Sequence, residues 1–168
     1  CFPLLDFPTV WGAGPDEYIR KGEALINSWK DDSYIMPAIG PHAPYTVSDG
    51  PLTEAVALSE RTGARIQIHL HETEFEVADA VEKQDKRPIE RLAGLGVLGP
   101  RTQCVHMTQV SDSDIAWLVN TGAHVIHCPE SNLKLASGLC PVHRLMESGV
   151  NLAIGTDGAA SNNDLDLF

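Results

Sequence analysis

Short apolar runs and amphipathic stretches alternate along nearly the whole chain, and their periodicities predict strands and helices in turn. Residues 1–5 read as the tail of a strand, followed by a Pro/Gly-rich loop to Pro15. Over 16–29, Ile19, Leu25, Ile26 and Trp29 recur at helical spacing. A short strand is expected over 33–39, ending in the proline-braced loop Gly40-Pro41-His42-Ala43-Pro44-Tyr45-Thr46. A helix over 52–61, with Gly63 at its cap, precedes a strand over 64–71. An acidic amphipathic helix over 73–84 and a short helix over 88–95, opened by Pro88, come next. A strand over 102–107 leads to Ser111 and Asp114, which have the spacing of a capping box ahead of a helix over 114–120. After a strand over 123–128, residues 130–135 are expected as loop. A helix over 142–148, capped by Gly149, then precedes a last strand over 150–154, which runs into Gly155-Thr156-Asp157-Gly158.

Strands separated by helices imply a parallel sheet with helical crossovers. Every strand from the second onward ends in a chemically capable residue: His42, His69 with Glu72, His106, His127 with Glu130, and Asp157. A doubly wound sheet gathers such residues at the one point where strand order reverses. A (β/α)8 barrel gathers all its strand C-termini on one face, so an even distribution over consecutive strands favours the α/β TIM barrel. A full barrel takes ~250 residues. The 168 residues are therefore expected to be one partial catalytic barrel, its middle and later strands, spanning 1–168.

The densest chemistry lies in Gln67-Ile68-His69-Leu70-His71-Glu72. Strand alternation puts Gln67, His69 and His71 on one face and Ile66, Ile68 and Leu70 on the other. Glu72, just past the pleat, is free to turn inward. Two imidazoles and a carboxylate there suit a metal or acid/base site, and equally a polar strand end that happens to contain histidine. Asp157 reads either as a metal ligand or as a turn aspartate. His106 reads as a site residue or a satisfied core histidine, and His42 as a rigidly presented side chain or a surface one. His127 and Cys128 are strand neighbours facing opposite ways, which excludes a nucleophile pair. His124 and His143 are given structural roles.

Composition narrows the function classes. With 43% apolar residues the chain can build a core, while a net charge of −11 argues against nucleic acid or an anionic membrane as partner. No apolar run approaches the ~18 residues of a membrane span. Cys1, Cys104, Cys128 and Cys140 form no CxxC pair and read as reduced thiols of a cytoplasmic protein. There is no Gly-x-x-x-x-Gly-Lys loop and no Gly-x-Ser-x-Gly elbow.

The segments GPHAPYT (40–46), IHLHETE (68–74), HCPESNLKLASG (127–138) and GTDGAASNNDLDLF (155–168) resemble the methylthioadenosine/S-adenosylhomocysteine deaminases of the metal-dependent amidohydrolase superfamily. The resemblance runs over essentially the whole chain. It implies a (β/α)8 barrel holding one zinc per complete subunit, with iron or another divalent metal in some relatives. It implies hydrolytic deamination of an adenine nucleoside, a small-molecule partner, and a complete protein that is compatible with a homo-oligomer. Position by position, His69 and Asp157 match metal ligands, and Glu72 matches the proton-carrying carboxylate that also touches substrate. His106 matches the catalytic histidine and His42 a substrate contact. Asp157 is also expected to serve catalysis and substrate binding. One departure stands out: the family's H-x-H ligand pair has no counterpart before His42, so these residues alone are expected neither to close a barrel nor to hold zinc tightly. Deamination or dechlorination of another nitrogen heterocycle, such as guanine or an s-triazine, is the rival chemistry. A non-catalytic barrel fragment is the rival of a different class.

Overall fold

The computed structural model describes residues 1–167. Six strands, β1 (Phe2–Leu4), β2 (Ile39–Pro41), β3 (Ile66–Leu70), β4 (Thr102–His106), β5 (His124–His127) and β6 (Leu152–Ile154), form one sheet. Their spatial order is their chain order, and every neighbouring pair is parallel. A sheet wound in one direction with no reversal is the wall of a (β/α) barrel and excludes the doubly wound alternative.

The crossovers are α1 (Pro15–Trp29), α2 (Asp49–Thr62), α3 (Glu74–Gln84) with α4 (Pro88–Gly94), α5 (Asp112–Thr121), and α6 (Pro129–Lys134) with α7 (Val142–Glu147). Each begins or ends where local chemistry requires. Proline opens α1, α4 and α6, a position where its missing N–H costs nothing. Gly63 and Gly122 close α2 and α5 in the left-handed conformation, each returning its N–H to the last turn. Ser111 and Asp114 make the capping box expected for α5.

The sheet is two-faced. On β3, Ile66, Ile68 and Leu70 are buried against the helices while Gln67 and His69 are only half-buried on the inner face. Ile39, Cys104 and Val125 extend that buried layer across the sheet, and Leu52, Leu58, Ile89, Leu92, Leu118 and Leu145 cover it from the helices. At one point the packing leaves no room for a side chain. A methyl at Gly22 would lie 2.1 Å from the Phe2 ring. Alanine favours a helix over glycine by about 1 kcal/mol, but overpacking costs roughly 1–3 kcal/mol. Gly22→Ala is therefore expected to lower stability, read as a lower urea midpoint with an unchanged m-value.

Three expectations from the sequence are corrected. Residues 33–38 form no strand, and β2 begins only at Ile39. The Asp32 carboxylate accepts from the N–H groups of both Tyr34 and Ile35, which turns the chain, and Pro37 has no N–H to offer a ladder. Residues 130–135 are mostly helical, because Pro129 both ends β5 and starts α6. His71 does not share a face with His69: β3 ends at Leu70, and His71 takes a left-handed φ of 52° that swings its ring outward among the helices.

Candidate active site

Three consecutive strands bring three imidazoles into a row. The ring centroids of His42, at the end of β2, and His69, on β3, are 5.1 Å apart, and those of His69 and His106, on β4, 5.3 Å. Asp157, three residues past β6, places Oδ2 4.0 Å from His106 Nε2, and Glu72 places Oε2 3.8 Å from the same nitrogen. One ligand atom from each of His69, His106 and Asp157 lies within 4.8 Å of the others. Two imidazole nitrogens and a carboxylate oxygen are the donor chemistry that zinc prefers.

The tautomers fit as well. His69 Nδ1 lies 2.6 Å from the His42 carbonyl. A carbonyl can only accept, so Nδ1 carries the proton and Nε2 keeps its lone pair, as a metal-binding histidine requires. His106 Nδ1 lies 2.9 Å from Asn132 Oδ1, which leaves Nε2 toward the two carboxylates. His42 Nδ1 lies 3.0 Å from Thr46 Oγ1, whose own proton goes to the Ala43 carbonyl.

Asp157 is held as firmly, and Glu72 mainly through its backbone. Asp157 Oδ2 accepts from the hydroxyls of Ser131 and Ser161, each at 2.7 Å. Burial pushes the Asp157 carboxyl up, but these two bonds, a Gly158 N–H and the His106 charge outweigh it and hold the pKa below the usual value. Glu72 sits at the corner between β3 and α3. Both oxygens of the buried Glu76 carboxylate receive backbone N–H groups at that corner, from His71 at 2.9 Å and Glu72 at 2.8 Å. Thr108 donates to the Glu72 carbonyl at 2.6 Å, and the Ser137 hydroxyl reaches Glu72 Oε1 at 3.4 Å. Burial pushes the Glu76 carboxyl up to about 7, against the N–H groups that favour its charged form. His106 and Asp157 hold left-handed φ values of 78° and 61°. Non-glycine residues in that region store of order 1–3 kcal/mol each, which surrounding structure must impose.

The structure thus brings His69, Glu72, His106 and Asp157 together, with His42 beside them. It leaves His71 out. His71 is fully buried; its Nδ1 donates to the Gln109 carbonyl at 3.1 Å and its Nε2 accepts the Ile89 N–H at 3.2 Å. Both nitrogens are satisfied inside the fold, and burial pushes the pKa down to about 4. Neither is available to a metal. His127 is half-buried near the Asn132 amide, and Cys128 is buried with a thiol pushed up to about 12, mainly by burial. His124 caps the other end of the sheet on the Pro100 carbonyl. His143 lies exposed on α7 beside Glu147.

Sequence reasoning assigned no role to Ser131, Asn132, Thr108, Glu76 or Ser161. Ser131 and Asn132 lie four and five residues past His127, one helical turn into α6, where side chains fold back over the strand end.

The sequence pattern described as the amidohydrolase family matches residues 8–168. This chain belongs to that family. Among its members, the "5-methylthioadenosine/S-adenosylhomocysteine deaminase" of Saccharophagus degradans is 58% identical over 167 residues, covering 99% of this chain and 37% of that protein. A solved structure described as an adenosine deaminase from Xanthomonas campestris with bound Zn superposes with a TM-score of 0.95 at 47% identity, over 98% of this chain and 38% of that one. Guanine deaminase from C. acetobutylicum, with guanine in its active site, gives 0.85 at 26% identity, over 95% and 39%. The chain spans less than two-fifths of the length of each of these relatives.

Proposed function

We propose that the complete protein hydrolytically deaminates an adenine nucleoside such as methylthioadenosine or S-adenosylhomocysteine, giving the inosine analogue and ammonia. The observation that carries this reading is the convergence of His69, Glu72, His106 and Asp157 on one spot, with the His69 and His106 tautomers and the Asp157 carboxylate fixed by hydrogen bonds. The 58% identity to a named methylthioadenosine/S-adenosylhomocysteine deaminase supports the substrate class. His69 Nε2 and Asp157 would hold the metal, with the remaining donors supplied from outside these 168 residues. When bound, zinc supplies hydroxide at neutral pH by lowering the pKa of water toward ~7.

The chain's own residues do the rest. Glu72 accepts a proton from the attacking water and delivers it to the ring nitrogen beside C6, acting as base and then acid; as the C6–N bond breaks, the proton of the added hydroxyl goes to the departing 6-amino group, which leaves as ammonia. His106 Nε2, 3.8 Å from Glu72 and 4.0 Å from Asp157, hydrogen-bonds the oxygen added at C6. His42 Nε2, left free by the Thr46 contact, is an acceptor for a substrate N–H or hydroxyl. Three buried thiols fit a reducing cytoplasmic setting.

The test is ammonia release by the complete protein from methylthioadenosine and guanine, and chloride release from a chlorotriazine, with zinc counted per chain. Turnover of the adenosine compound and about one zinc are expected. Turnover of guanine alone would move the reading to the other heterocycles, and less than about 0.1 zinc would end the hydrolase reading. In the same assay His69→Ala should lose zinc and activity together. His71→Ala should keep zinc in whatever fraction folds, since both ring nitrogens already have partners.

A further inference from the structure

The geometry points to Arg91 as a positioning residue for the substrate pocket, one that braces the His42 loop from a neighbouring βα unit. This rests on the nucleoside reading, in which His42 touches substrate.

Arg91 lies on α4, more than forty residues away in sequence from the loop it holds. Its guanidinium donates through Nη1 to the Pro44 carbonyl at 2.6 Å, through Nη2 to the Val47 carbonyl at 3.0 Å, and through Nε to Asp49 Oδ1 at 2.8 Å. The side chain is only 13% exposed, so these bonds are partly shielded from water. A rigid planar fork reaching three acceptors is geometry that lysine cannot reproduce.

Pro44, Tyr45, Ser48, Asp49 and Gly50 line an open groove of ≈ 970 Å³ together with Glu90, Arg91 and Leu95. Pro44 and Val47 are buried, and Arg91 ties their carbonyls to α4. Asp6, which lines the same groove, accepts from the N–H and hydroxyl of Ser48.

What the loop carries explains the consequence. Thr46 holds the His42 ring, the His42 carbonyl holds Nδ1 of His69, and Tyr45 stands edge-on to His42 at 6.1 Å. Releasing residues 44–49 loosens the position of the His42 ring. The His42 backbone stays in register, because it also accepts the His69 N–H and donates to Leu4. Substrate fit should therefore suffer more than the chemical step.

The test compares unmodified complete protein with Arg91→Met, using methylthioadenosine. KM is expected to rise about 10-fold with kcat within about threefold, the pattern of lost uniform binding. Zinc content should be unchanged, and amide hydrogen exchange should quicken over residues 42–49. Arg91→Lys should fall between the two, and it carries the same comparison if the methionine variant does not fold. Lys83→Met, in the same groove, should leave KM alone. An unchanged KM, or a parallel loss of kcat and zinc, overturns the proposal. Should the unmodified protein not turn over methylthioadenosine, the nucleoside reading fails, and hydrogen exchange then decides the brace alone: unchanged exchange over 42–49 rejects it.

Discussion

Glu72→Gln is expected to keep its metal and to lose roughly 10²-fold or more in rate, the range of one positioned acid/base group. The amide is nearly the same shape and keeps every contact that the corner makes through its backbone, namely Glu76 to the N–H and Thr108 to the carbonyl. The Ser137 hydroxyl can still donate to the amide oxygen. Only the capacity to take up and return a proton is gone. The informative measurement pairs ammonia release from methylthioadenosine with zinc per chain on one preparation. A rate equal to that of the unmodified protein would remove Glu72 from the reaction. Zinc lost along with rate would make it a ligand, and the proton carrier would then have to be sought at His106.

The barrel wall was legible in the sequence because it follows from short-range rules, whereas the roles of His69, Glu72, His106 and Asp157 came from the family resemblance, residue spacing alone leaving each with a structural alternative. Strand alternation, helix punctuation and a polar residue at each strand end are local, and six strands in chain order is what an even distribution of such ends implies. What stayed hidden depended on partners distant in sequence or on backbone special cases. Parity put His71 beside His69, and only the positive φ at His71, together with acceptors and donors on Gln109 and Ile89, takes it away. Asn132 and Ser131 became visible once Pro129 was seen to start a helix, which folds them back onto His106 and Asp157. The strand expected over 33–39 failed on one side chain, Asp32, that outcompeted the ladder for two N–H groups.

The outward turn of His71 also marks where the fold is most easily broken. Asp114 on α5 is fully buried; it accepts two hydrogen bonds from Arg87 Nε and Nη2 on one oxygen at 3.1 and 2.6 Å, and a third contact from Nε on the other at 2.9 Å. It caps α5 through the Ser111 N–H at 2.8 Å and lies 3.6 Å from His71 Nδ1. Arg87 donates further to the Gln109 carbonyl, so one carboxylate ties together the start of α4, the start of α5 and the corner after β3. Asp114 is fully buried but Arg87 is 26% exposed, so removing the carboxylate leaves a partly solvated charge and costs less than the ~3–5 kcal/mol of a fully buried pair. Asp114→Ala should unfold at correspondingly lower urea, whereas Arg87→Ala plus Asp114→Ala together should cost less than the sum of the two singles. The pH dependence has a definite sign. Burial pushes the Asp114 carboxyl up, but the Arg87 bonds, the Ser111 N–H and the His71 charge outweigh it and hold the pKa below its ordinary 3.8. A depressed carboxyl contributes its stability above the unfolded value and loses it as pH falls below that value toward the folded one. Unmodified protein should therefore lose this contribution progressively below about pH 4, while Asp114→Ala should lack that part of the acid limb. Zinc in the folded fraction of the variant should be unaffected, because His69 and Asp157 take their orientation from His42, Ser131 and Ser161 and not from this latch.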